Sequence, residues 1–147
     1  MDENVLSVLE SLIENCKDGE KGYQDAAAHA KRPELKQLFQ EQSSQRGRFA
    51  GELQTELAKL GKTEKKDSGT VGGALQRAWL DTKVNLGGGD HTILESLERG
   101  EDSAKEAYNK ALATSLPPQV DSIVRRQAAS IFQTHDRMKS LRDQLAA

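Results

Sequence analysis

Val8-Leu9-Glu10-Ser11-Leu12 returns later in the chain as Ile93-Leu94-Glu95-Ser96-Leu97, and this echo decides the fold. Residue 8 falls on residue 93, an offset of 85. Held without gaps, the same offset places Tyr23 on Tyr108, Ala26 on Ala111, Pro33 on Pro118, Gln42 on Gln127 and Leu60 on Leu145. A short echo arises by chance; one that keeps register through a proline and a glutamine marks an internal repeat.

Each copy reads as a helical hairpin. Val5, Leu9, Leu12, Cys16, Gly19, Tyr23, Ala27 and Ala30 recur in steps of three and four, which is one face of a helix. Pro33 stops that helix and suits the first turn of the next, where a missing N–H goes unused. Leu35, Leu38, Phe39, Phe49, Leu53, Leu57 and Leu60 form the facing stripe, and Gly61 supplies a C-terminal stop. In the second copy the stripes are Leu94, Leu97, Glu101, Ala104, Tyr108, Ala111 and Ser115, then Val120, Ile123, Val124, Ile131, Met138, Leu141 and Leu145. Pro117-Pro118 marks the turn between them. Asp90 or Thr92 is expected to cap the third helix, and Glu10 and Glu95, three residues after Ser7 and Thr92, have capping-box spacing.

The expectation is one all-α domain over residues 1–147: hairpin one over 1–62, a crossover over 63–89 and hairpin two over 90–147. Within the crossover, Leu75, Trp79, Leu80 and Val84 fit a short amphipathic fifth helix, with Trp79 anchoring it to the bundle. A connection this long can run the length of a bundle and leave the second and third long helices parallel, as in ferritin-like folds.

Composition narrows the function. The 21 basic and 23 acidic residues are interspersed and give a net charge of −2, with no basic block of the kind nucleic acid attracts. No apolar run is long enough to span a bilayer. The acidic start Met1-Asp2-Glu3-Asn4 is unlike a signal peptide, and the one cysteine, Cys16, excludes an intrachain disulfide framework. The expected location is the cytoplasm, with no nucleic-acid or membrane partner. Gly87-Gly88-Gly89-Asp90 precedes a helix but lacks the strand and the Gly-Lys-Ser/Thr of a phosphate loop, so it reads as a hinge. No Ser/His/Asp set has persuasive spacing, and no catalytic residue is assigned.

The phrases Asp18-Gly19-Glu20-Lys21-Gly22-Tyr23 and Glu98-Arg99-Gly100-Glu101-Asp102, with Gln127 and His135-Asp136-Arg137, resemble an uncharacterised bacterial family of ferritin-like four-helix proteins. The resemblance covers nearly the whole chain but brings no settled activity. The wider superfamily implies a di-iron or di-manganese centre built from a Glu on each of two helices and Glu-x-x-His on each of the other two. This sequence departs from that pattern. The inward positions on helices two and four are Gln42 and Gln127, and neither helix has Glu-x-x-His. The 85-residue offset pairs Glu101 with Cys16 and Glu20 with Lys105, so no matched ligand pair emerges.

What the repeat does match is Tyr23 with Tyr108 and Gln42 with Gln127. Tyr and Gln lie at similar depth on opposite arms of each hairpin, so each phenol is expected to bond the facing amide in a buried polar network. Glu101 falls on an inward stripe and needs a cation. Arg46 is one candidate; a metal held with Glu20 and Glu98 is the other. Cys16 reads as a small core residue, and His29, His91 and His135 as surface or helix-end residues. Two functional readings follow. The first is a non-enzymatic ferritin-like bundle acting under stress by homo-oligomerisation or by binding a protein partner. The alternative is a metalloprotein carrying iron or manganese at a reduced site, with oxidase or peroxide-handling activity.

Overall fold

A computed structural model of the chain describes residues 3–61, Trp79 and residues 88–145. These form four α-helices: α1 (Glu3–His29), α2 (Pro33–Lys59), α3 (Asp90–Leu112) and α4 (Pro118–Gln144). At about 1.5 Å per residue, the 27-residue helices are roughly 40 Å long. No strand occurs among the described residues.

The punctuation acts as its chemistry dictates. Pro33 and Pro118 open α2 and α4, and Gly61 lies just beyond α2 with φ +86°, a left-handed conformation that costs glycine nothing. The capping expectations need correction. Ser7 lies inside α1, which starts at Glu3, so Glu10 has no helix end to cap. Asp90 is itself the first residue of α3 and leaves that helix without a side-chain cap. Its carboxylate instead accepts the backbone N–H groups of Lys31 (2.8 Å) and Arg32 (3.1 Å) at the start of α2. An acid at a helix N-terminus is stabilised by the unpaired N–H groups there. Here that acid is delivered from the other hairpin.

α1 packs on α2 and α3 on α4; the two hairpins meet mainly through α1 on α3, with a lesser contact of α2 on α4. The apolar core forms two clusters. One joins Val5 to Cys16 of α1 with Phe49 to Leu57, Ala104 to Ala111 and Val120 to Ile131. The other joins Tyr23 to Ala30 with Leu35, Leu38, Phe39, Trp79, Ile93, Leu94, Leu97 and Met138. The first cluster therefore contains the N-terminal half of α1, the C-terminal halves of α2 and α3, and the N-terminal half of α4. It follows that α1 is antiparallel to both α2 and α3, and that α2 and α3 run the same way.

The expected stripes face the core almost throughout. Ser115, which lies past the end of α3, is exposed, while Leu60, Ile123, Leu141 and Leu145 are partly buried. α1 buries more than its stripe: Leu6, Val8, Ile13, Asn15, Gly22 and Ala26 are also covered. A helix that meets α2, α3 and Trp79 has too many neighbours for a single apolar seam. The fifth helix expected in the crossover lies outside the described residues, apart from Trp79. That residue is 4% exposed and belongs to the second cluster.

Candidate functional site: a buried ion pair at the centre of the bundle

Between the two apolar clusters lies a polar layer. Arg46 of α2 and Glu101 of α3 are both fully buried, and the Arg46 Nη2 group donates to Glu101 Oε2. The Tyr23 hydroxyl of α1 donates to the same oxygen. Arg46 also lies over the Tyr23 ring, 5.5 Å from its centroid, in cation–π geometry. Three helices thus converge on one carboxylate.

The electrostatics follow from burial and proximity. Burial alone would lower the Arg46 pKa; the Glu101 carboxylate outweighs it and holds the guanidinium well above its ordinary value. Burial and the adjacent Glu101 charge push the Tyr23 phenol well up, against the pull of Arg46. The layer therefore contains one cation, one anion and a neutral phenol.

A second polar chain runs beside it. Tyr108 donates to Gln127 Oε1 at 2.8 Å. That uses its single proton, so the Cys16 thiol, 3.1 Å away, is the donor to the Tyr108 oxygen. Gln127 Nε2 donates in turn to Glu52 Oε1 (2.9 Å) and to the Phe49 carbonyl (3.3 Å). The Glu52 carboxylate, which also takes Arg126 at 2.7 Å, is held below its usual pKa by these hydrogen bonds, against the effect of burial.

Burial pushes the Cys16 thiol up to about 11, with the Tyr108 hydrogen bond and the Arg46 charge only partly opposing it. At pH 8 roughly one thiol in a thousand is then ionised, and the thiolate is the reactive form. We expect Cys16 to resist a soluble disulfide reagent in the native state and to react fully in denaturant, with reactivity tracking the unfolding curve. Native-state labelling at the rate of a free thiol would contradict this placement.

The expected Tyr108–Gln127 pair is present, but its counterpart is not. Tyr23 bonds Glu101, and the half-buried Gln42 instead accepts from Thr134 Oγ1 at 3.2 Å. The physical reason is that a carboxylate is a stronger acceptor than a neutral amide, and the facing hairpin brings one to the phenol. The three acids considered for a metal serve separate tasks. Glu101 takes Arg46 and Tyr23, Glu98 takes Arg142 of α4, and Glu20 lies over Gly47, where an added Cβ would be 2.6 Å from its Oε2. Among the described residues no group of three His, Cys, Asp or Glu side chains is placed to hold a metal ion. These residues do not fit a dinuclear centre.

Two features went unread in the sequence. His135, expected near the surface, is only 8% exposed and lies between two carboxylates: Asp102 at 2.5 Å from Nε2 and Asp136 at 3.1 Å from Nδ1. It ties α4 to α3. The other is the seat of Trp79. A Cβ at Gly100 would lie 2.6 Å from the indole, one at Gly22 2.7 Å and one at Gly19 3.4 Å. The three glycines floor a slot in which the ring lies against helix backbone. The Trp79 ring also stands 5.9 Å from the Tyr23 ring, centroid to centroid.

Asp18, the residue before Gly19 on α1, is half-buried. Burial, reinforced by Glu14 and opposed by Lys21, pushes its pKa up from 3.8 to about 6. A raised carboxylate pKa means that the folded chain disfavours the charge. The penalty is absent below pH 3.8, grows as pH rises, and is complete above about 6. The shift sets a ceiling near 3 kcal/mol, which solvent screening at a half-exposed site reduces to about 1 kcal/mol. Asp18→Asn should therefore stabilise the protein by about that amount at pH 7.5 and change little at pH 3.5. Denaturant titrations at the two pH values check it; an equal effect at both would refute the linkage.

The helices and their polar centre define a four-helix bundle closed internally by an ion pair. The chain belongs to the family described as Domain of unknown function (DUF2383), which matches residues 4–114. That match takes in α1, α2 and α3, and with them Tyr23, Arg46, Trp79 and Glu101. No curated protein matches the chain.

Proposed function

We propose that this protein is a ferritin-like bundle of two duplicated hairpins in one domain, whose centre is closed by a protein cation where metal-binding bundles keep ligands. On this reading it acts in the cytoplasm without catalysing a reaction, by associating with copies of itself or with a protein partner. The observation that carries the proposal is the occupation of the Glu101 carboxylate by Arg46 and Tyr23. A carboxylate already neutralised by a guanidinium has little left to offer a second cation, and displacing Arg46 would strand a buried charge. The duplication is supported by the helix bounds: α2 and α4 begin at residues 33 and 118 and end at 59 and 144, both ends at the 85-residue offset of the sequence repeat.

The test is elemental analysis of protein expressed in iron- and manganese-supplemented medium and purified without chelator. Metal far below one atom per chain is expected. Stoichiometric iron or manganese, lost on Glu101→Gln, would reverse the proposal in favour of a metalloprotein. Light scattering over a range of concentrations addresses association: a defined oligomer is expected, and a strict monomer would remove the self-association reading.

A further inference from the structure

The ion pair leaves hydrogen-bonding capacity unspent. Arg46 carries five N–H donors in a fixed fork, yet among the described residues its Nε and Nη1 groups are buried without a partner, as is Glu101 Oε1. The pairing is single, through Nη2 and Oε2, and the Tyr23 hydroxyl competes for that same Oε2. The Trp79 Nε1 group is also buried with no partner among the described residues. Gly19 brings one of these groups, Arg46 Nη1, close to the edge of the indole ring. The position of a Cβ on Gly19 would be 3.2 Å from Arg46 Nη1 and 3.4 Å from Trp79 Cζ2. One turn before Gly19 on α1, Asn15 is 1% exposed, and neither its amide nitrogen nor its amide oxygen has a partner among the described residues.

Such a concentration of orphaned groups is informative. Buried polar groups in folded proteins nearly always have a partner, and each unsatisfied one costs about 1–3 kcal/mol, more when charged. No described residue supplies that partner, and one drawn from solvent to atoms this deeply buried must be small. It must accept from guanidinium and donate to a carboxylate. It must also be neutral, because Arg46 and Glu101 already cancel and a further ion would leave the layer charged in a low-dielectric setting. We propose that the Arg46–Glu101 layer is an internal water site, in which ordered water bridges Arg46 Nε or Nη1 to Glu101 Oε1 beneath the edge of Trp79. Water of this kind typically makes about three hydrogen bonds, and roughly one buried water per 27 residues is usual. The inference stands apart from the association proposal, since a water-filled layer is compatible with any oligomeric state.

A crystal structure of the full chain at a resolution that shows ordered solvent tests it. At least one water is expected within hydrogen-bond distance of both an Arg46 nitrogen and Glu101 Oε1. A bidentate Arg46–Glu101 pair that satisfies Oε1 with no water overturns the proposal, and so does density for a larger molecule or an ion at that place. A solution measurement guards against a crystal artefact. Magnetisation transfer from a long-lived water to the Trp79 Nε1 proton or the Tyr23 hydroxyl proton is expected, and its absence while both protons are observed would equally count against the site.

Discussion

Replacing Glu101 by Leu should cost this protein about 3–5 kcal/mol, because it leaves the Arg46 guanidinium buried with no counter-charge. Domains of this kind carry only about 5–15 kcal/mol of net stability, so the variant should be largely unfolded at a denaturant concentration that leaves the parent intact. Arg46→Met should be damaging for the mirror-image reason, although a stranded carboxylate can take up a proton where a guanidinium cannot. The instructive variant removes the layer as a unit. Arg46→Met with Glu101→Leu exchanges an ion pair for apolar contacts, a change often neutral or stabilising by about 1–4 kcal/mol. It would still strand the Tyr23 hydroxyl, at about 1–3 kcal/mol, so Tyr23→Phe completes the set. Urea unfolding should therefore show large losses in each charged single variant and recovery of most of the loss in the triple variant. Single-variant losses below about 1 kcal/mol, the range of an exposed pair, would show that the layer is open to solvent.

The same layer shows what a one-dimensional reading can and cannot reach. The stripes and hairpin ends were legible because burial imposes a helical period and because proline cannot continue a helix. Charge alone showed that an inward Glu101 demands a cation, but it left Arg46 and a metal as alternatives; the fold brings Arg46 to it. Tyr23 was misassigned to Gln42 because depth along a hairpin says nothing about rotation between hairpins, and that rotation brings Glu101 to the phenol. Asp102 and His135, 33 residues apart, meet across α3 and α4 for the same unreadable reason. The capping signals failed differently. Their spacing was right, but Ser7 lies a turn inside its helix and Asp90 serves another helix, and neither outcome is encoded locally. Glycine is ambiguous in principle: Gly19, Gly22 and Gly100 look like weak points in helices until a ring is found against them. The sequence phrases that carried the family resemblance therefore have a spatial meaning. Their glycines seat Trp79, their Tyr23 and Glu101 build the polar layer, and Asp102 meets His135 beside it. Among the described residues none of them is assembled as a ligand set.

That spatial meaning makes the tryptophan seat the second place where a small change should have a large effect. Gly100→Ala adds one methyl group, and that methyl would lie 2.6 Å from Trp79 Cε3 and Cζ3. Real side chains do not sit so close, so the indole must leave its slot or α1 and α3 must part. A strained core costs about 1–3 kcal/mol, and the upper end is expected because the ring is confined from the α1 side as well, by Gly22 at 2.7 Å. Removing the ring is worse: Trp79→Ala should cost about 3–5 kcal/mol by opening a cavity the size of an indole. The two losses should not add. Once the ring is gone, an alanine at residue 100 meets no obstacle and fills a little of the space, so the double variant should be no less stable than Trp79→Ala alone. The single tryptophan of the chain also reports on its own seat. Emission from Gly100→Ala should shift toward that of an indole in water before global unfolding, if the ring is expelled. A double-mutant cycle with additive losses would mean that Gly100 and the indole are not in contact, and the slot between α1 and α3 would have to be abandoned.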